Sequence, residues 1–331
     1  MELRSFGSTD LTVSPIGLGL AALGRPGYIN LNHAQDLAHD YDLAAMEARA
    51  HEVLDAAWKA GIRYFDAARS YGLGEQFLGT WLSSHAIARQ LITVGSKWGY
   101  TYTADWQIQA QVHEIKDHSL TTLEKQWPES IGHLNGYLKL YQIHSATTES
   151  GILQKGEVLR RLAGLKSNGI RIGLTLSGQE QAETLRRAME ITVDGLVLFD
   201  SVQATWNLLE PSVGPALMEA HSAGLGVIIK EALANGRLTD RNQEPEFGPK
   251  LTVLQTEAGK LNSSIDALVL AACLQQPFVD VVLSGATTVD QLVSNVQASD
   301  LEIGPDTLAR LSEIAEPAKT YWTTRSRLQW N

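Results

Sequence analysis

The chain has 331 residues, 44% of them hydrophobic and 19% charged, with a formal net charge of −10 and a pI near 5.4. That composition supplies a sizeable core, excludes a disordered chain, and argues against an electrostatic nucleic-acid binder. A single cysteine, Cys273, excludes an intrachain disulfide, and no His/Cys cluster has metal-ligand spacing, so no metal is expected.

The N-terminus lacks the apolar stretch of a signal peptide, and no run is long and apolar enough to span a bilayer. The expected location is therefore cytoplasmic, with no membrane partner. Arg4 to Val13 reads as a hairpin turning at Gly7–Asp10, and Pro15 to Leu20 as the first strand. Residues 25 to 42 are polar, irregular and long for a simple connection, which suggests a functional flap. A rhythm then sets in: helix Glu47–Ala60, strand Arg63–Asp66, helix Glu75–Ser84, strand Leu91–Ser96, helix Gln107–Gln126 and strand Tyr137–Ile143. It continues with helix Gly156–Asn168, strand Ile170–Leu176, helix Glu180–Met189, strand Leu196–Val202, helix Ser212–Ala223 and strand Gly226–Ile229. After a polar loop and two helical stretches come strand Val279–Leu283 and helix Val289–Ala298.

The strands are short continuous apolar runs, as strands buried on both faces are. Eight alternating units predict a closed (β/α)₈ TIM barrel with an N-terminal β-hairpin, and with no linker or composition break residues 1–331 form a single domain. A doubly wound open sheet is the alternative, weakened because Gly17-Leu18-Gly19 is a mere fragment of a dinucleotide-binding turn.

In a barrel, chemistry gathers at the carboxyl ends of the strands. Those ends carry Asp66 with Tyr71 in the next loop, then Lys97, His144, Thr175 or Ser177, Gln203 and Lys230. Taken singly, each has an ordinary reading: a helix cap, a packing tyrosine, a solvated lysine, a core histidine. Taken together, Asp66, Tyr71, Lys97 and His144 suit proton delivery to a carbonyl. An ammonium beside a phenol favours the phenolate, a carboxylate holds the ammonium, and an imidazole hydrogen-bonds the substrate oxygen.

These segments resemble the aldo-keto reductase family. "RYFDAARSYG" is similar to its Phe-Asp-Thr-Ala-x-x-Tyr-Gly signature, "LYQIHS" to its histidine strand, and "SVQATWNLLE" to its Gln-x-x-Tyr-Asn-Leu-Leu segment. The likeness runs from about Leu11 to Ala298. It implies hydride transfer between a nicotinamide and an aldehyde, ketone or sugar carbonyl, or the reverse alcohol oxidation. Tyr71 would be the general acid/base, tuned by Lys97 and Asp66, with His144 orienting the carbonyl. It implies a cofactor site at Thr175, Ser177, Gln203 and Lys230, at Leu233, Asn235 and Gly236 of the "KEALANGRLT" loop, and at Gly285, Gln291 and Asn295. Lys230 stands where an aromatic often covers the nicotinamide. Gly285 and Gln291 stand where many relatives place cations for a 2′-phosphate. NADP(H) is the cofactor the resemblance implies, with NAD(H) the rival. Tyr28, Trp98 and Trp206 are the candidate substrate pocket, and the tail from 318 to 331 a candidate cover for the site. The alternative from another class is a cofactor-binding regulatory barrel with slow turnover, acting on a protein partner. The sequence leaves the oligomeric state open.

Overall fold

The computed structural model describes residues 1–331. Eight parallel strands close into a barrel: β1 (Ile16–Gly19), β2 (Tyr64–Asp66), β3 (Thr93–Trp98), β4 (Leu138–Ala146), β5 (Arg171–Leu176), β6 (Ser201–Thr205), β7 (Gly226–Lys230) and β8 (Val281–Ser284). The order around the barrel is the order of the chain, with β8 pairing back to β1 through Val282↔Ile16, Leu283↔Gly17 and Ser284↔Leu18. Most strand residues are buried on both faces, which is why the strands read as continuous apolar runs. Helices α1 (Leu43–Lys59), α2 (Gly74–Ser84), α3 (Leu120–His133), α4 (Gly156–Ser167), α5 (Gln181–Met189) and α6 (Gly214–Ser222) follow in turn, then α7 (Gly248–Lys260), α8 (Ile265–Leu274), α9 (Val289–Val296), α10 (Pro305–Ser312) and α11 (Ala318–Ser326). None is long and apolar enough to cross a membrane.

The N-terminal hairpin, Arg4–Ser5 on Thr12–Val13, closes the amino end of the barrel. Its Phe6, Leu11 and Val13 pack with Tyr64, Leu140, Ile228 and Val281 in a second, smaller apolar cluster. Gly226 opens β7 because a Cβ there would stand 2.5 Å from the Phe6 ring.

Two expected elements differ. Helix Gln107–Gln126 is replaced by an antiparallel hairpin, Tyr100–Tyr102 on Glu114–Lys116, and α3 starts at Leu120. The run Ile108, Ala110, Val112 alternates with period two, which no helix face can use. Ser119 caps α3 by accepting from the Thr122 N–H, and its own N–H and hydroxyl donate to Asp117. The strand expected at Leu196–Val202 starts later, at Ser201. Leu196 and Val197, 73% and 49% exposed, instead form an outer hairpin with Thr192–Val193, turning at Asp194-Gly195. Both turn residues have positive φ, 50° and 79°, the geometry Asp-Gly favours.

Candidate active site

Most of the loops that build the site leave the carboxyl ends of strands, and the tail in and after α11 supplies the rest. Asp66 ends β2 and Lys97 lies on the neighbouring β3; both are nearly inaccessible, at 2% and 1%. Lys97 Nζ ion-pairs with Asp66 Oδ2 and donates to the Ala67 carbonyl at 2.9 Å. Asp66 Oδ1 accepts from Tyr64 Oη at 3.2 Å, Gln203 Nε2 at 3.0 Å and Gln142 Nε2 at 3.4 Å. A carboxylate so fully occupied is fixed in position, as a buried charge must be.

Tyr71 follows in a tight turn clasped by Gly24, whose carbonyl accepts from the Leu73 N–H at 2.8 Å; a Cβ on Gly24 would stand 2.2 Å from the Tyr71 carbonyl. Lys97 Nζ lies 4.7 Å from the centre of the Tyr71 ring. The His144 ring, from β4, meets Tyr71 edge-on at 5.6 Å and 84°. Ser70 Oγ is 3.4 Å from His144 Nδ1, and the Tyr100 ring is 4.8 Å from the imidazole. Burial, then Lys97, Lys230 and Arg25, push His144 well below the usual imidazole range, so it is uncharged at neutral pH. Burial and then the Asp66 carboxylate push the Tyr71 phenol well above its ordinary value. The sequence expectation of a phenol lowered by Lys97 therefore meets a different balance: Lys97 is neutralised by Asp66, and Tyr71 is held protonated.

These groups face a cleft of about 700 Å³, within the roughly 300–1,000 Å³ usual for small-molecule sites. From Asp66, Tyr71 and His144 it runs past Ser177, Gln203 and Lys230, then Leu233, Asn235 and Gly236, to Gly285, Gln291 and Asn295. Tyr28 is in its wall. Lys97 and Thr175 lie behind the lining; Thr175 Oγ1 accepts from the Ser145 N–H at 2.7 Å. Trp98 and Trp206 are not in the wall either. They are buried, packing on His118 and Phe278, as bulky apolar side chains at strand ends are drawn to do.

Arg25 had no sequence signal of its own, whereas Trp330 and Arg325 lie in the tail expected to cover the site and do line the cleft. Arg25 is 3% exposed, donates to the Ser70 carbonyl at 3.0 Å, ion-pairs with Glu114 of the rim hairpin, and lies 5.1, 5.4 and 4.9 Å from the rings of Tyr28, Tyr71 and Trp330. Its neighbours Pro26 and Gly27 mark only a turn. Trp330, in the tail, stacks flat on His113 at 3.9 Å. The tail is fixed by Arg325, whose guanidinium grips the Glu231 carboxylate with both ends, and by Asn331, which exchanges backbone hydrogen bonds with Tyr28 at 3.2 and 3.0 Å. The 25–42 loop is anchored at its far side. Asp36 takes two hydrogen bonds of 2.7 Å from Arg241 and one of 3.2 Å from Thr287.

The model of the family described as Aldo/keto reductase family matches residues 15–316. The chain is 27% identical to L-galactose dehydrogenase of Arabidopsis thaliana over 338 residues, covering 96% of each. It is 22% identical to NADH-specific methylglyoxal reductase of Escherichia coli, covering 96% of this chain and 99% of that one. Among solved structures, an aldo-keto reductase from Bacillus halodurans in its holo form superposes with a TM-score of 0.72 at 24% identity, covering 96% of this chain and 97% of that one; this likeness is one of fold.

Proposed function

The chain belongs to the aldo/keto reductase family, an oxidoreductase family that reduces carbonyls with a nicotinamide cofactor, and from that premise we propose that Tyr71 is its proton carrier and a small, uncharged, hydroxyl-bearing carbonyl compound its substrate. The observation that carries the reading is the convergence of Tyr71, His144 and the Lys97–Asp66 pair at one end of the cleft.

The cleft residues fit a nicotinamide dinucleotide. Asn235 Oδ1 is buried without a partner, Lys230 Nζ has one hydrogen bond for three N–H groups, and nothing stands within 4 Å of where a Gly285 Cβ would be. Ser177, Lys230 and Gln203 would hold the nicotinamide end, and Leu233 to Gly236 with Gly285 to Asn295 the rest. When bound, the group supplies or takes the hydride at the carbonyl carbon. The protein's own residues manage the proton. Neutral His144 donates a hydrogen bond that orients the carbonyl oxygen, and Tyr71, held protonated, delivers its proton there as negative charge develops. In alcohol oxidation the same proton returns to Tyr71.

Two finer points follow from the lining. At the outer end stand Asp36, Asp240, Asp266 and Asp290, and the cation there, Arg241, is committed to Asp36. A 2′-phosphate would find carboxylates and no free partner, which supports NAD(H) over NADP(H). Around Tyr71, Arg25 is neutralised by Glu114 and Arg325 by Glu231, beside the aromatic faces of Tyr28, Tyr100 and Trp330. Fixed charge pairs next to aromatic faces suit hydroxyls and C–H surfaces, as on a hydroxyaldehyde or sugar. The relative named for L-galactose agrees with that class. A regulatory barrel without turnover is not favoured, since the relatives above are named for reactions.

The test is nucleotide oxidation with NADH and NADPH against a panel of hydroxyaldehydes, sugars and apolar aldehydes, in wild type and Tyr71→Phe. The variant should lose at least about a hundredfold in kcat and keep its nucleotide affinity. Equal rates in the two proteins would refute the assignment.

A further inference from the structure

Lys230 ends β7 with its side chain in the cleft and 16% exposed. Its ammonium donates to Thr205 Oγ1 at 2.8 Å and lies 3.8 Å from Glu231 Oε1. That carboxylate, however, is already gripped at both oxygens by Arg325. At the inner end of the cleft the charges otherwise cancel: Lys97 with Asp66, Arg25 with Glu114, Arg325 with Glu231, and His144 neutral. Lys230 is the surplus positive charge.

Its place along the cleft gives that charge a target. Lys230 lines the same cleft as Tyr71 and His144 at one end and Gly285 and Asn295 at the other, so a ligand that fills the cleft between them meets its side chain. On the reading above, which this inference rests on, the part lying there is the nicotinamide. That ring is uncharged when reduced and carries one positive charge when oxidised. We propose that Lys230 is the residue that decides which redox form of the cofactor the site holds, because its ammonium opposes the oxidised ring and leaves the reduced ring untouched. The protein then binds NADH more tightly than NAD⁺ and expels the oxidised form once a carbonyl has been reduced. An aromatic side chain at this position would cover the ring but carry no charge to discriminate with.

The groups facing Lys230 are Glu231 on its own strand end, Thr205 from β6, Arg325 from α11, Asp66 from β2, Lys97 from β3 and His144 from β4. Burial lowers its pKa to about 8, with Arg325 and Lys97 adding to the effect and Glu231 and Asp66 opposing it. The discrimination therefore belongs to the protonated side chain and fades as pH rises through about 8.

The test is equilibrium binding, read from quenching of tryptophan fluorescence, with NADH and NAD⁺ titrated separately into wild type, Lys230→Met and Lys230→Arg. The ratio of the two dissociation constants should shrink by about tenfold in Lys230→Met, a modest fraction of the Coulomb energy of two charges about 5 Å apart near a protein surface. In wild type the ratio should fall with pH around a midpoint near 8. In Lys230→Arg it should persist and lose that pH dependence, because a guanidinium does not titrate there. An unchanged ratio in Lys230→Met, or equal weakening of both forms, would overturn the proposal while leaving the carbonyl-reductase reading intact. Failure of wild type to bind any nicotinamide nucleotide would overturn that reading, and this one with it.

Discussion

Replacing Arg325 by methionine removes the guanidinium that clamps Glu231 and leaves a carboxylate 8% exposed with weaker company. Although burial alone would raise it, Arg325 and then Lys230 bring the Glu231 carboxyl from 4.5 to about 2. That drop, at ~1.36 kcal/mol for each tenfold change in proton affinity, corresponds to ~3 kcal/mol of folding stability. That figure is already net of the burial penalty, which the variant leaves largely uncompensated, so even with Lys230 3.8 Å away the expected loss at neutral pH is about 3 kcal/mol. The sign follows from the depressed pKa: the stabilisation is present above pH 4.5 and is lost as pH falls through about 2. The deficit of the variant should therefore shrink as the pH drops below 4.5. Urea unfolding followed by tryptophan fluorescence measures it. The double variant Arg325→Met/Glu231→Met should recover most of the loss, because no buried carboxylate is left without its partner. A single variant within about 0.5 kcal/mol of wild type, or a double variant no better than the single, would refute the argument.

Asp36→Ala frees Arg241 at the outer end of the cleft, so affinity for NADPH should rise about tenfold relative to NADH, as a charge-assisted bond to the 2′-phosphate becomes available; parallel titrations of the two nucleotides check it. Gly226→Ala drives a methyl group to 2.5 Å from Phe6 and should lower unfolding free energy by about 2 kcal/mol while leaving nucleotide affinity at the far end unchanged; urea unfolding and a binding titration together separate the two effects.

The barrel was legible because each strand is a short apolar run bounded by turn residues, and that pattern survives at seven of the eight strands. It failed at Leu196–Val202, where an Asp-Gly turn diverts two exposed apolar residues into an outer hairpin before β6 begins. It failed again at residues 107–119, where the rim hairpin and the Ser119 cap leave room for a helix only from Leu120. Strand ends located Asp66, Tyr71, Lys97 and His144, since a barrel places all such ends on one rim. Strand ends could not say which side chains face the cleft: Lys97 and Thr175 lie behind its wall, and Trp98 and Trp206 turn to the core. Least legible were the pairs Arg25–Glu114 and Arg325–Glu231, whose members are 89 and 94 residues apart. No local period links such positions; the barrel, with the rim hairpin and the tail helix docked on it, makes them neighbours.

The 25–42 loop leaves β1 yet reaches Arg241, on the loop after β7, and touches Asn235 through the Leu31 N–H at 3.0 Å. To do so it must pass over the end of β8, which lies between them in the barrel. The cleft is thus bridged at its acidic outer end, away from Tyr71 and His144. A long ligand lodged beneath that bridge leaves by threading or by waiting for Asp36 and Arg241 to part, whereas a small substrate at Tyr71 is under no such constraint. Residence time at the two ends of one cleft is then set by different events.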